Sequence, residues 1–173
     1  MITEFTEDIK KGEIGETIFK EDFLEFLGLR YINIAHSFQV IDGDFLLGSN
    51  KKYEIKSNYK DDGQIIIEEY SNYNKGLGSV TPGWFYRSKA DIIVFISKNT
   101  RTMIFLPFTE EFKQYYKNIS SQYELHYNRI SYHDGNLWQS AFKKIPLFVL
   151  KGFYSVYKKE YSNLLELENL LRR

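Results

Sequence analysis

The chain contains no cysteine, which excludes a disulfide scaffold, a thiolate zinc site and a cysteine nucleophile together. It carries no excess charge of either sign, since 23 Lys and Arg stand against 23 Asp and Glu. A protein that coats nucleic acid non-specifically through a basic surface is therefore disfavoured, although a local cationic patch beside an acidic site fits the same balance. Proline is scarce, and no Pro/Ser-rich linker, repeat or low-complexity tract divides the chain. No apolar run approaches the ~18–20 residues that cross a bilayer. The opening MITEFTEDIKKGE has neither the basic start nor the apolar stretch of a signal peptide. Together these absences lead us to expect one soluble, cytoplasmic domain with no membrane partner.

What is present is apolar and aromatic. Hydrophobic residues make up 43% of the chain, with 14 Tyr and 14 Phe, ample material for one core. Most of these rings are expected inside, with a few available to stack on bases or line a groove. Thr6, followed by Glu7 and Asp8, reads as a helix cap with negative charge at the positive end of the dipole. Ile9, Ile18, Phe19, Phe23, Leu24 and Leu27 recur at spacings near three and four, up to a stop at Gly28. Gly12 and Gly15 within that run call for close packing or a later helix start.

Two strand-like runs follow, residues 39–47 (QVIDGDFLL) and 52–57 (KYEIKS), and the turn signal Gly48-Ser49-Asn50 makes them a hairpin. A third run, 65–70 (IIIEEY), precedes a Gly/Pro-containing loop through Gly76, Gly78, Pro82 and Gly83. Residues 90–97 and 102–107 read as a second hairpin, whose first strand is continuous enough in Ile, Val and Phe to be central and covered on both faces. From Thr109 the pattern turns helical through Phe112, Tyr115 and Tyr116, residues 120–140 are ambiguous, and Pro146 opens a last apolar stretch. Residues 163–173 read as a C-terminal helix with Leu164, Leu167, Leu170 and Leu171 on one side. This order predicts an α/β fold, a mixed β-sheet flanked by helices.

The chemistry gathers at Asp44, Glu54 and Lys56. Glu54 and Lys56 are two apart on a predicted strand, so their side chains share a face. A hairpin turning at 48–50 would bring the Asp44 carboxylate beside Glu54. Two carboxylates suit a hard divalent cation such as Mg²⁺, which offsets phosphoryl charge and acidifies water, while a lysine can hold or deprotonate that water. An isolated Glu-x-Lys is usually an ordinary surface strand. The upstream Asp with its apolar strand, and Glu16 on the preceding helix, argue against that reading here.

The series Gly12, Glu16, then Gly43-Asp44-Phe45-Leu46-Leu47, then Glu54-Ile55-Lys56 resembles the PD-(D/E)XK nuclease superfamily. Asp62 to Glu68, Pro82-Gly83-Trp84 and Ser88-Lys89-Ala90-Asp91 are similar to its small phage and prophage members. The resemblance spans roughly residues 12–107 of a single domain 1–173, leaving 108–173 as an expected C-terminal helical extension. It implies a restriction-endonuclease-like fold and a Mg²⁺-dependent endonuclease, with Mn²⁺ as a substitute. DNA, branched or structured forms included, is the implied substrate and RNA stays open; a phage-encoded chain would act in the host cytoplasm. Asp44, Glu54 and Lys56 would be catalytic; Asp44, Glu54, the Ile55 carbonyl and Glu16 would hold or support the metal. Two positions depart from the pattern: Gly43 stands where a proline is usual, and Gln64 where Asn is more frequent.

Asp42 competes with Asp44 for the metal, and Asp44 is preferred because Phe45-Leu46-Leu47 follows it. Glu68 could bind a second metal, fix Lys56, or be an ordinary strand carboxylate. Gln64, Lys52, Ser88 and Lys89 are expected as supporting or substrate-binding residues, although Ser88 and Lys89 also read as a solvated loop. Asp91 reads as a structural hydrogen-bonding group. His36, His126 and His133-Asp134 match no His-metal spacing. The Lys and Arg doublets are solvated surface, apart from Lys51-Lys52, which flank the site and could neutralise phosphates. The leucine-bearing C-terminal helix is core or a homodimer seam, too short for a coiled coil. The rival to an enzyme is a catalytically silent nuclease-fold module that binds nucleic acid or a protein partner.

Overall fold

The computed structural model describes residues 4–34, 43–48, 50–74, 79–133 and 136–159. Helix α1 (Glu4–Phe19) continues into a π-helical turn over Lys20–Glu25. The helix is already present at Glu4, so the expected cap Thr6 lies within it. The widened turn lets Phe19, Asp22, Phe23 and Leu24 all be buried, with Phe19 and Phe23 stacked at 5.3 Å. Gly28, at φ 64, ends the run as expected. Of the two helix glycines, Gly15 is the packing contact. A Cβ there would fall 2.6 Å from Ser57 Cβ, so α1 lies directly on strand β3 (Lys52–Tyr59), whereas Gly12 meets nothing within 4 Å.

Strands β1 (Tyr31–Asn33), β2 (Phe45–Leu47), β3, β6 (Ile92–Ser97), β7 (Met103–Pro107) and β12 (Ser155–Tyr157) form one mixed sheet in the order β1-β2-β3-β6-β7-β12. Only the β3–β6 pairing is parallel. All six β6 side chains are buried, and they alternate as the pleat requires. Ile93 and Phe95 enter one core, while Ile92, Val94 and Ile96 enter the other beneath α1. The expectation of a central strand covered on both faces holds.

The third apolar run is longer than expected, β4 (Gln64–Asn74), and belongs to a second, antiparallel sheet. That sheet is ordered β5-β4-β11-β8, with β5 (Ser79–Pro82), β8 (Leu125–Tyr127) and β11 (Ala141–Pro146). The expected loop before Trp84 is thus partly strand. Helix α2 (Trp84–Arg87) is a single turn, and α3 (Glu110–Ser120) is capped by Thr109, whose hydroxyl accepts from the Phe112 N–H at 3.2 Å. Strands β9 (Ser131–His133) and β10 (Asn136–Trp138) pair as a hairpin in the ambiguous region.

The expected helical extension is corrected: the described residues from 108 onward hold α3, one 3₁₀ turn (Leu147–Leu150) and strands β8–β12. The physical reason is visible in β11, where Ala141 and Ile145 are buried at 0% exposure while Lys144 points out. Two adjacent lysines hide that alternation in the sequence. Asp42 and His36, the start of the 39–47 run, Gly76, Gly78 and the 163–173 helix lie outside the described residues. The fold is mixed α/β: a six-stranded mixed sheet, a second antiparallel sheet and few helices. None of the described helices is long and apolar enough to cross a membrane.

Candidate active site

The expected β2–β3 hairpin forms, with Phe45 opposite Tyr53 and Leu46 opposite Lys52. Asp44 stands one residue before β2. Its N–H donates to the Tyr53 carbonyl at 2.7 Å, and its Oδ2 accepts from the Ile55 N–H at 2.6 Å. The carboxylate is thereby fixed to the backbone between Glu54 and Lys56.

The residue before it has a backbone that only glycine readily adopts. Gly43 has φ 86, and a Cβ there would lie 2.7 Å from the Tyr53 carbonyl oxygen. Proline, locked near φ −65°, cannot occupy that backbone. Gly43→Ala is expected to cost on the order of 1–3 kcal/mol, read as a lowered urea midpoint at unchanged slope. An unchanged midpoint would show that the strand ends do not need this conformation.

Glu54 and Lys56 share a face and form an ion pair. Glu54 is only 5% exposed, and its Oε2 is buried without a hydrogen-bond partner among the described residues. Lys56 Nζ also lies 5.2 Å from the centre of the Trp84 ring, a cation–π contact. Burial pushes the Asp44 carboxyl up from 3.8 to about 7 against the opposing hydrogen bond from Ile55; Glu16 and Glu54 raise it further and Lys56 lowers it. Glu16 on α1 is thus electrostatically coupled to Asp44, next to the Gly15 contact with β3. Glu68 on β4 joins the same group. Its Oε1 accepts from the Trp84 N–H at 3.3 Å, and burial raises its carboxyl against the charges of Lys56 and Arg87.

The chain matches no family model, no curated protein and no solved structure.

Asp44, Glu54, Lys56, Glu16 and Glu68 come together, whereas the remaining expected residues divide. Lys52 exchanges backbone hydrogen bonds with Asp91, its N–H to Asp91 Oδ2 and its carbonyl from the Asp91 N–H, both 2.8 Å. Asp91 is thus structural, tying the starts of β3 and β6. Ser88 is buried and its Oγ accepts from the Ala90 N–H at 3.2 Å, a local turn, while Lys89 beside it is exposed. Gln64 opens β4, exposed and about 13 Å along the strand from Glu68. His126 stacks on Phe142 in the second sheet. Two neighbours are assigned no role by the sequence: Trp84, which lies in the Pro82-Gly83-Trp84 motif and sits beneath the lysine, and Arg87, which no motif names and whose charge acts on Glu68.

Among the described residues no group of three or more His, Asp or Glu stands ready to hold an ion. One observation nevertheless fits the donor set to a hard divalent cation. The orphaned, buried Glu54 Oε2 is a costly acceptor left unsatisfied, and it stands on the strand whose backbone anchors the Asp44 carboxylate. Carboxylate oxygens are what Mg²⁺ selects.

Proposed function

We propose that the chain is a Mg²⁺-dependent endodeoxyribonuclease with a restriction-endonuclease-like arrangement of PD-(D/E)XK type. The supporting observation is the hairpin that fastens Asp44 to the Ile55 N–H while Glu54 and Lys56 pair on the adjoining face. Asp44 and Glu54 would hold the cation, with the Ile55 carbonyl and Glu16 in support. When bound, it supplies positive charge for the phosphoryl oxygens and acidifies water. Lys56, held between Glu54 and the Trp84 ring, donates hydrogen bonds toward the attacking water or a non-bridging oxygen and aligns them for in-line displacement. Glu68, fixed by the Trp84 N–H, balances the lysine from the second sheet.

The test is a substrate panel of supercoiled, linear, single-stranded and branched DNA with matched RNA, in Mg²⁺ or Mn²⁺. Wild type is expected to cut DNA, and Asp44→Ala and Lys56→Ala to leave it intact. Cleavage that survives unchanged in both variants defeats the assignment. A silent nucleic-acid- or partner-binding module is the second reading, favoured by the ion pair that already occupies Glu54 Oε1. Mn²⁺ titration separates the two, since the enzyme binds the ion through Asp44 and the silent module does not.

A further inference from the structure

Helix α2 has one turn, and residues three apart on a helix share a face, so Trp84 and Arg87 present their side chains to the same side. That side is where Lys56 Nζ lies over the Trp84 ring. Arg87 itself is partly buried, and its Nε is wholly buried without a hydrogen-bond acceptor among the described residues. A buried donor left unmet carries its desolvation cost uncompensated, and a guanidinium has no neutral form into which to escape.

The turn that carries it is firmly held. The Gly83 N–H donates to the Glu69 carbonyl at 2.7 Å, and the Tyr86 hydroxyl donates to the buried Glu69 carboxylate at 2.7 Å. Tyr116 donates to the other oxygen of that carboxylate, and Phe85 packs on the Tyr116 ring at 4.4 Å. Arg87 is therefore carried on a fixed turn, with its Nε lacking an acceptor among the described residues. The charges of Arg87 and Lys56 both act on the Glu68 carboxyl, and the ligand that suits such a cationic pair is an anion with several acceptor oxygens; a phosphate meets two guanidinium N–H groups at once.

We propose that Arg87 binds a backbone phosphate of the nucleic-acid substrate, beside the Glu54–Lys56 pair and across from Glu68. The proposal deepens the nuclease reading and rests on it for the identity of the substrate, but it is measured by binding, not by turnover. The probe is a fluorescein-labelled DNA of about 16 nucleotides, single-stranded and duplex, titrated by anisotropy with Ca²⁺ in place of Mg²⁺ over about 50 to 300 mM salt. Arg87→Gln is expected to bind about tenfold or more weakly and to lower the slope of log K against log salt by about 0.7–0.9. Arg87→Lys should keep the wild-type slope yet lose several-fold in affinity, because an ammonium cannot fork. Lys144→Gln, at an exposed lysine on the second sheet, should bind as wild type does.

Wild-type affinity and slope in Arg87→Gln, or no DNA binding by the wild type, overturns the proposal. If Arg87→Gln fails to fold, the Arg87→Lys loss at constant slope decides it. Arg87-dependent binding without cleavage by any form defeats the nuclease reading alone. Cleavage with Arg87-independent binding defeats this inference alone.

Discussion

Asp44→Asn is expected to make the metal-free protein more stable at pH 8 and to slow DNA cleavage by about a thousandfold or more. The two effects have one cause. Asp44 is held where burial and the charges of Glu16 and Glu54 oppose its ionisation, so its carboxyl is pushed up to about 7. The folded state then keeps a proton that the unfolded chain releases near pH 4. Its contribution to stability is full below pH 4 and is lost as pH rises through 7, because above 7 the native protein must carry a desolvated, repelled carboxylate.

Asparagine keeps the shape, and its side-chain oxygen can still accept from the Ile55 N–H, without that charge. Relative to wild type, the variant should gain through the window from about pH 4 to 7, reaching roughly 2–4 kcal/mol above it. The measurement is urea unfolding at pH 4, 6 and 8 with chelator present. Equal or lower stability of the variant at pH 8 would show that Asp44 is not a strained acid. A site that sacrifices stability for an anionic ligand set is the usual form of a stability–activity conflict.

The parts of this arrangement differ in how far the chain alone discloses them. Strand β6 is legible because five consecutive apolar residues, four of them β-branched, have few alternatives to a doubly covered strand. The β2–β3 hairpin is legible because Asn50, at φ 61, lies just where the turn chemistry predicts. Its neighbour β1 is only three residues long and two of them are exposed, so periodicity has too little to act on. The second sheet is hidden for another reason. Strands β4 and β11 are far apart in the chain, and a bulge between Ala141 and Phe142 shifts the register that would otherwise show alternation. In the site, Asp44, Glu54 and Lys56 are readable because a hairpin is a local object. Glu68, Trp84 and Arg87 arrive through packing between the two sheets, and nothing in the spacing of Arg87 distinguishes it from any other surface cation. Gly43, where the resembled pattern has proline, is explained by the backbone: the position has a positive φ that proline could not adopt.

The same acidity of Asp44 makes cation binding steeply pH-dependent, and this is the larger of the two effects on the ligand side. A proton and a divalent cation compete for one carboxylate, so below pH 7 each unit of acidification should weaken binding about tenfold, and above it the affinity should level off. Between pH 5 and 8 the Mn²⁺ dissociation constant of the wild type is expected to fall about 100-fold. Calorimetry in two buffers of different ionisation enthalpy should find about 0.9 protons released per ion at pH 6 and almost none at pH 8.5. Asp44→Asn should bind weakly throughout and lose this dependence. Lys56→Ala takes a positive charge away from both carboxylates, so its proton release should persist to higher pH. Binding that is flat from pH 5 to 8 in the wild type would place the ion elsewhere, because no ion can share Asp44 without displacing the proton that burial holds there.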